Sequence, residues 1–408
     1  MEYTVIPGGV CAARGFAAGG VHCGIRHNRE KKDLAVIRAD VRCAAAGMFT
    51  TNKVYGAPIR VDRAHLADGW AQAIVCNSGN ANTCAANGVD LANETCALAA
   101  KALGVAEADV LPASTGVIGQ PMVIDPFVTG LPAAAAALSA GPEGSFAAAQ
   151  AIMTTDTVEK EYALRFTLGG RACALGAIGK GSGMIAPNMA TLLTFYTTDA
   201  AISPEMLHKA IAEVVPGTYN QMSVDLDTST NDTLLILASG LAGNAPITAD
   251  GEDYRTFVAA LTAIAEHMAA LHASDGEGAS HLITCTVTHA KDRALARAIA
   301  KSVVCSYLFK AAVFGRDANW GRILCAIGYT PGDFSVDRCC VRLESAAGSV
   351  WVCENAAYHP YSEEEAAKIL AEHDVFVRVD MGDGDAEGKA WGCDLTYDYV
   401  RINGDYRT

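Results

Sequence analysis

The chain has 408 residues, of which 51% are hydrophobic and 19% are charged. A chain of this length can bury a large core and suggests two lobes or one large composite unit. Its net charge of −14 disfavours a nucleic-acid or anionic-membrane partner. The opening MEYTVIPGGVCAARGF lacks the apolar region of a secretory signal, and no uninterrupted apolar stretch approaches the length of a membrane helix. These features predict a cytoplasmic protein.

The fourteen cysteines and ten histidines form neither a disulfide framework nor a metal site by their spacing. The cysteines are scattered from Cys11 to Cys393 without any C-x-x-C pair, and most lie in apolar segments. In a long chain without a signal peptide, buried free thiols are expected. The histidines form no ligand cluster, so we expect no bound metal.

The predicted elements mix helices and strands. In chain order, the strands DLAVIRADV and AQAIVCNSG come first, followed by a helix over 91–103 and the strand TLLTFYTTDA. Next come a helix that begins at Ser203-Pro204-Glu205 with Leu207, Ile211 and Val214 on one face, the strand DTLLILASG, and a helix with Phe257, Leu261, Ile264, Met268 and Leu271 at helical spacing. The strand SHLITCTVTHA, a helix with Ser362 and Glu365 as a capping box, and the strands VFVRVDMG and LTYDYVRI complete the order. Helical spacing, N-cap residues and β-branched runs support these assignments. The order lacks the strict β-α-β rhythm of a nucleotide fold. It predicts an α/β (α+β) chain with sheets stacked on each other and flanked by helices.

Two segments resemble ligand-binding motifs, but the secondary structure predicted on either side of them does not fit those motifs. Gly181-x-Gly183-x-x-Ala186 loosely matches a dinucleotide fingerprint, but that fingerprint needs a helix directly after it, and a threonine-rich strand follows instead. A second segment has acidic residues at roughly calcium-loop spacing. Its members are Asp383, Asp385, Glu387, Gly388 and Asp394. Because both flanks resemble strands rather than the helices of an EF-hand, we expect a solvated hairpin turn.

Thr191 stands where the glycine-rich loop GKGSGMIAPNMA meets the strand TLLTFYTTDA. A threonine hydroxyl becomes a nucleophile when a base lies beside it, and the residue's own α-amino group is one such base. That amine has a pKa of about 7.7–8.0, so a fraction is neutral near pH 7. Creating it requires cleavage before Thr191, and glycines permit the backbone strain this needs. The pattern alone favours an ordinary strand-starting threonine, because strands often begin with threonine.

The segment resembles the self-cleavage site of the ornithine acetyltransferase family, the glutamate N-acetyltransferases of arginine biosynthesis. The similarity covers nearly the whole chain in ten ordered blocks. The blocks are KKDLAVI, AAGMFTTN, NSGNAN, PASTGVIG, IMTTDT, KGSGMIAPNMATLLTF, DTSTNDTLL, DGEGAS, GRDANWGRI and YVRINGDYRT. The resemblance implies a stacked α-β-β-α sandwich of the kind shared with self-cleaving aminopeptidases.

The resemblance also implies maturation and chemistry. Cleavage between Ala190 and Thr191 would give chains of residues 1–190 and 191–408, interwoven into one catalytic unit and paired as a heterotetramer of two alpha and two beta chains. Thr191 would take the acetyl group from N-acetylornithine and pass it to glutamate by a ping-pong reaction. Thr115 and Gly116 would form the oxyanion hole. No bound cofactor is implied, and acetyl-CoA is a possible second acetyl donor that the sequence does not decide.

The substrate-binding residues implied by the resemblance are Thr154, Lys180, Thr191, Glu277, Asn403 and Thr408. Lys180 suits the α-carboxylate that both substrates carry, and Glu277 suits the side-chain ammonium of ornithine. Taken singly, Lys180 would more often be a solvated surface lysine, and Glu277 a charge at the end of a helix. If Thr408 lines the site, the terminal carboxylate lies there too, and a C-terminal tag should impair activity.

Two further blocks carry no chemistry by themselves. In GRDANWGRI, Arg316, Asp317, Asn319 and Trp320 suggest a buried polar network, and NSGNAN suggests a loop that supports the site. The sequence departs from the family at TLL, where a methionine is usual, at Leu226, where glycine is common, and at His281, where lysine is frequent.

Two other functions remain open. A self-cleaving amidohydrolase or aminopeptidase would use the same nucleophile but give the acyl group to water. A non-catalytic small-molecule binding protein would need no intact Ala190-Thr191 junction, which this sequence keeps.

Overall fold

In the computed structural model, residues 1–186 and 192–405 are described. The strands are β1 (Thr4–Val5), β2 (Phe16–Val21), β3 (Leu34–Phe49), β4 (Trp70–Asn80), β5 (Val110–Val117), β6 (Lys160–Leu168), β7 (Arg171–Lys180), β8 (Leu193–Thr198), β9 (Met222–Ser223), β10 (Thr233–Ala238), β11 (Leu282–Ala290), β12 (Cys340–Ser345), β13 (Gly348–Glu354), β14 (Ala357–Tyr358), β15 (Asp374–Asp380) and β16 (Ala386–Cys393). The α-helices are α1 (Ala57–His65), α2 (Gly88–Leu103), α3 (Asp125–Ala136), α4 (Pro142–Ile152), α5 (Pro204–Val214), α6 (Glu252–Ser274), α7 (Arg293–Cys305), α8 (Tyr307–Phe314), α9 (Trp320–Gly328), α10 (Glu363–Ile369) and α11 (Tyr397–Gly404). The described residues form two sheets, so the predicted mixed α/β class with two sheets is confirmed.

The chain divides into two compact units. The first unit comprises Met1–Gly181, Asn188–Pro216 and Thr228–Met268. Its sheet has the order β1-β6-β7-β8-β10-β3-β4-β5, with β2 also paired to β3. Side chains of β3 alternate between two cores: Leu34 packs in a cluster with α2 and α3, whereas Ile37 packs in a cluster with α4. Both faces of β3 are therefore buried near its start and over its second half, where nearly all residues are apolar, whereas residues 40–42 between them are exposed.

Two strands that follow the predicted cleavage point, β8 and β10, lie side by side within this sheet, between β7 and β3, which precede it. β8 pairs antiparallel with β7 and parallel with β10, and β10 pairs antiparallel with β3. Backbone hydrogen bonds thus join segments before residue 190 to segments after residue 191 at two places in the middle of the sheet, between β7 and β8 and between β3 and β10. Cleavage itself stays a prediction.

The second unit comprises Ser182–Pro187, Gly217–Asp227 and Ala269–Thr408. Its sheet has the order β14-β13-β12-β15-β11-β16-β9. Helix α7 contributes Ile299 and Val303 to a core shared with Ile283 of β11 and Val377 of β15. Apolar residues at helical spacing on α7 and at alternate positions on the strands build this core.

The helix starts predicted at Ser203 and Ser362 are confirmed. The Ser203 hydroxyl accepts a hydrogen bond from the Met206 amide at 3.3 Å, and the Ser362 hydroxyl accepts one from the Glu365 amide at 3.2 Å. The helix predicted over 91–103 begins earlier, at Gly88. Each serine satisfies one of the backbone donors that a helix leaves unpaired at its first turn.

Two expectations in the C-terminal part are wrong. LTYDYVRI is not a strand: from Tyr397 onward it is helix α11, whose N-cap Thr396 accepts a hydrogen bond from the Tyr399 amide. The acidic segment around Asp383 is not a hairpin turn either, because β15 and β16 both pair with β11 rather than with each other. Asp383 and Asp385 lie in the connection between these two strands that flank β11.

Helix α6 is long and apolar enough to cross a membrane by length and composition, but half of that window is buried. Phe257, Leu261, Ile264 and Met268 are all buried, as expected of a core helix. The cysteines throughout the described residues are free thiols, and more than half are buried.

Candidate functional site

Thr115 and Gly116, the predicted oxyanion pair, lie at the end of β5, and both are partly exposed. Gly116 has φ +132°, and a Cβ there would lie 2.3 Å from the carbonyl carbon of Gly79. A larger residue at 116 would therefore be strained and would collide with backbone. Gly79 belongs to NSGNAN, so this block packs directly against the predicted oxyanion pair.

Buried amide side chains hold this turn in place. The Ser114 hydroxyl donates to Asn77 Oδ1 at 2.6 Å, and Asn77 Nδ2 donates to the Asn80 carbonyl at 2.9 Å. Asn231 Nδ2 donates to the Ser114 carbonyl at 2.9 Å and to the Ala81 carbonyl at 2.6 Å. Satisfied buried networks of this kind make a loop rigid.

Lys180 ends β7, and its side chain lies against Thr115. Its Nζ donates to Thr115 Oγ1 at 3.4 Å, and the residue is 8% exposed. An ammonium group only donates hydrogen bonds, so it takes a lone pair of the hydroxyl. The hydroxyl hydrogen of Thr115 is then directed away from Lys180, where it can be donated to a developing oxyanion.

Thr154 follows α4, and its backbone amide donates to Asp156 Oδ2 at 2.9 Å. The buried Asp156 also accepts from the Gly181 amide at 2.7 Å. Sequence reasoning used IMTTDT for Thr154 and missed Asp156, which connects Thr154 to Lys180 and Gly181. The available signal was an acidic residue inside an otherwise uncharged block.

A second buried carboxyl, that of Asp232, lies just before β10 in the same unit. Burial raises its pKa well above the usual range, although hydrogen bonds from Ser229 and Thr50 and the charge of Lys180 oppose this. Among the described residues its Oδ2 has no hydrogen-bond partner. A carboxyl in this state favours its neutral form and therefore neutralises Lys180 less than an ionised carboxylate would.

Glu277 and Asn403 contact each other in the second unit. Asn403 Nδ2 donates to Glu277 Oε2 at 2.7 Å, and Glu277 is 7% exposed. A Cβ on Gly183 would lie 2.3 Å from the Glu277 carboxyl carbon, so glycine allows the carboxylate to lie over this backbone. The structure thus brings two of the predicted substrate-binding residues into direct contact through the buried carboxyl of Glu277.

Asp225, also missed by sequence reasoning, fixes the chain at 184–185. Its carboxylate accepts from the Met184 and Ile185 amides, both at 2.7 Å, and from the Tyr399 hydroxyl at 3.2 Å. The next residue, Leu226, has φ +70°. This left-handed conformation favours glycine, the residue that the resemblance leads us to expect at this position.

Ala190, Thr191 and Thr408 lie outside the described residues. The neighbouring Leu192 is anchored, because its carbonyl accepts from the Thr233 amide at 2.9 Å. The roles predicted for these three residues stay predictions.

His281 is 6% exposed and its Nδ1 lies 2.8 Å from Asp394 Oδ2. The Ser280 and His281 amides both donate to Asp394 Oδ1. Burial alone would raise the pKa of Asp394, but bonds from His281 and Ser280 lower it below its usual value. The histidine therefore has a carboxylate partner of its own.

The expected buried network in GRDANWGRI is wrong. Arg316 and Asp317 are exposed. Asn319 caps α9, accepting from the Arg322 amide at 3.2 Å, and its Nδ2 donates to Asp317 Oδ2 at 2.9 Å. The block forms a surface helix start rather than a buried support. In the described part of the chain, the acidic, histidine and cysteine side chains form no group that could hold a metal ion.

Comparison with known proteins gives matches along the whole chain. The ArgJ family model matches residues 17–408. The arginine biosynthesis bifunctional protein ArgJ of Symbiobacterium thermophilum is 47% identical over 410 residues, covering 100% of both chains. That of Caldanaerobacter subterraneus subsp. tengcongensis is 45% identical over 405 residues, covering 99% of this chain and 100% of the relative. A crystal structure of the Bacillus halodurans protein of the same name is 42% identical, with a TM-score of 0.49, and covers 52% of this chain and 97% of that chain.

Proposed function

Because the chain belongs to the ArgJ family, we propose that it is a glutamate N-acetyltransferase of arginine biosynthesis, moving the acetyl group of N2-acetylornithine to glutamate. The observation that carries the proposal is the identity of 45% and 47% with two bifunctional arginine-biosynthesis proteins over essentially the full chain. The contact of Lys180 with Thr115 supports the assignment of residues.

The first half-reaction forms an ester on Thr191. The Thr191 hydroxyl attacks the acetyl carbonyl and gives its proton to the α-amino group created by cleavage. The Thr115 hydroxyl and the Gly116 amide stabilise the oxyanion of the tetrahedral intermediate. The bond from the carbonyl carbon to the ornithine nitrogen then breaks, and that nitrogen takes the proton as ornithine leaves.

The second half-reaction reverses these roles. The neutral α-amino group of glutamate attacks the ester carbonyl, the bond to Thr191 Oγ breaks, and the proton released by the amine returns to Thr191. The products are N-acetylglutamate and free enzyme. Acetyl-CoA is the donor for a second activity: its thioester bond breaks in the first half-reaction, and CoA leaves as the thiol.

Two groups of residues recognise the substrates in this proposal. Lys180 attracts the α-carboxylate that both amino acids carry. The buried carboxylate of Asp156 lies 3.9 Å from Lys180 Nζ and also accepts a hydrogen bond from the Thr154 amide. Glu277, held by Asn403, attracts the side-chain ammonium of N-acetylornithine, which glutamate lacks. Thr408 completes the set, so a C-terminal tag is expected to impair activity.

Maturation and assembly follow the same proposal. Cleavage between Ala190 and Thr191 gives chains of residues 1–190 and 191–408, which assemble as a cytoplasmic heterotetramer. Pairing of β7 with β8 and of β3 with β10 supports two chains that stay together after cleavage, since separating them would break sheet hydrogen bonds in the middle of a buried sheet.

A transfer assay separates this function from the alternatives. Purified protein is incubated with N-acetylornithine, with and without glutamate, and both products are measured. Formation of N-acetylglutamate in equal amount with ornithine supports the transferase. Release of acetate at the same rate without glutamate would instead identify an amidohydrolase, and the absence of turnover would favour a binding protein.

A further inference from the structure

The carboxylate of Asp156 contacts two lysine side chains and two backbone amides of the first unit. Its Oδ1 accepts from Lys160 Nζ at 2.7 Å and from the Gly181 amide at 2.7 Å. Its Oδ2 accepts from the Thr154 amide at 2.9 Å and lies 3.9 Å from Lys180 Nζ. Two residues of the predicted substrate-binding set, Thr154 and Lys180, are thereby fixed relative to one carboxylate.

The charges of Asp156 and its two lysines do not cancel. The side chains of Asp156 and Lys160 are 0% exposed, and that of Lys180 is 9% exposed. Burial alone would raise the pKa of Asp156, but the charges of Lys180 and Lys160 and the hydrogen bonds lower it well below its usual value. One anion between two cations gives these three groups a net positive charge.

The positions of the two lysines decide which of them Asp156 neutralises more. Lys160 is inaccessible and bonds the carboxylate directly at 2.7 Å. Lys180 lies farther from the carboxylate and donates to Thr115 Oγ1, so Asp156 neutralises its charge less. Without Lys160, Asp156 would attract Lys180 alone and compete more strongly with a substrate anion for it.

We propose that Asp156 is a positioning residue for substrate binding, which holds the Lys180 ammonium beside Thr115 and, with Lys160 as its counter-ion, lets that ammonium bind an amino-acid α-carboxylate. This inference rests on the proposed function, in which Lys180 is the carboxylate partner. Asp156 does not touch the substrate; it acts through Lys180, Thr154 and Gly181.

A merely structural ion pair would also explain the burial of Asp156 and Lys160. Breaking such a pair destabilises a protein, whereas replacing both partners by neutral groups of similar size is often tolerated. The two explanations therefore differ in a variant that removes the pair as a whole: a structural role predicts normal substrate binding, and a positioning role predicts weak binding.

The experiment uses Asp156→Asn, the double variant Asp156→Asn/Lys160→Met and the control Asp199→Asn. Asp199 is also buried in the first unit and accepts from backbone amides, those of Ala174 and Arg14, but among its described hydrogen bonds none involves a predicted site residue. Each mature, untagged protein is titrated with L-glutamate by calorimetry, and its melting temperature is measured. Loss of one hydrogen bond to a charged group corresponds to about a 10- to 100-fold change in a dissociation constant.

We expect the dissociation constant for glutamate to rise by about 10- to 100-fold in both Asp156 variants, because Lys180 is no longer held where it bonds the carboxylate. In Asp199→Asn we expect an unchanged dissociation constant, even if the melting temperature falls. A folded double variant that binds glutamate as tightly as the wild type would overturn the inference.

Crystal structures of the wild type and the double variant provide a test that does not depend on glutamate. The inference predicts that Lys180 Nζ leaves Thr115 Oγ1 in the variant, and an unchanged contact would overturn it. If the wild type binds no glutamate but Lys180 moves in the variant, the proposed substrate is wrong and the positioning role of Asp156 is upheld.

Discussion

Replacing Thr115 by valine removes one hydrogen-bond donor from the proposed oxyanion hole while keeping the shape of the side chain. Lys180 Nζ donates to Thr115 Oγ1 at 3.4 Å, so the hydroxyl hydrogen is available to the oxyanion. The Gly116 amide would remain as the second donor. The variant therefore tests one of two donors without removing the nucleophile.

The expected magnitude follows from the loss of one preorganised donor, which costs about 2.7–4 kcal/mol or about 10²–10³-fold in kcat. Valine also removes an acceptor from Lys180, which is only 8% exposed, and this places the effect toward the upper end. Thr115→Ser keeps the hydroxyl and should retain most of the activity.

The assay is single-turnover acetylation, followed by mass spectrometry of the peptide that begins at Thr191 and normalised to the fraction of cleaved protein. This normalisation matters because cleavage passes through a tetrahedral intermediate as well. Acetylation by Thr115→Val at nearly the wild-type rate would refute the assignment of Thr115 to the oxyanion hole.

Three other variants or reactions test separate parts of the account. Glu277→Gln should raise the KM for N-acetylornithine by about tenfold, roughly the value of one charged hydrogen bond, and leave the KM for glutamate nearly unchanged; equal effects on both would contradict the ammonium-binding role. Asp62 is fully buried on α1, and burial raises its pKa well above the usual value. Above about pH 4 the unfolded state loses the Asp62 proton while the folded state keeps it. The free energy of unfolding therefore falls as the pH rises from there towards the folded-state pKa. Asp62→Leu should therefore raise the melting temperature more at pH 8 than at pH 5, and a shift independent of pH would contradict this. With labelled acetyl-CoA and glutamate, labelled N-acetylglutamate should form, and its absence would leave the enzyme monofunctional.

The sequence was sufficient for elements whose local signals agree with their surroundings. Ser203 and Ser362 mark helix starts because a hydroxyl at that position pairs with an amide of the first turn, whatever lies nearby. The prediction of a strand for LTYDYVRI is wrong because its alternating aromatic residues favour a strand, whereas the N-cap Thr396 and the acidic Asp398 in the first turn favour a helix. The weaker capping signal decided the structure.

The contacts of residues whose partners lie far away along the chain could not be predicted from the sequence. Asp156 bonds the Gly181 amide from a distant part of the chain, and Asp225 does the same with Met184 and Ile185. An acidic residue in an uncharged block can be noticed in a sequence, but a single sequence does not show which distant amides its carboxylate accepts from. The exposed Arg316 and Asp317 show the converse, since a dense run of polar residues has no fixed relation to burial.

The central claim is that Thr191 becomes a free N-terminal nucleophile. The most direct test is a denaturing intact-mass spectrum of the untagged protein. The account predicts two masses, corresponding to residues 1–190 and 191–408. A single full-length mass after prolonged incubation at neutral pH would contradict it, because the α-amino base would never form.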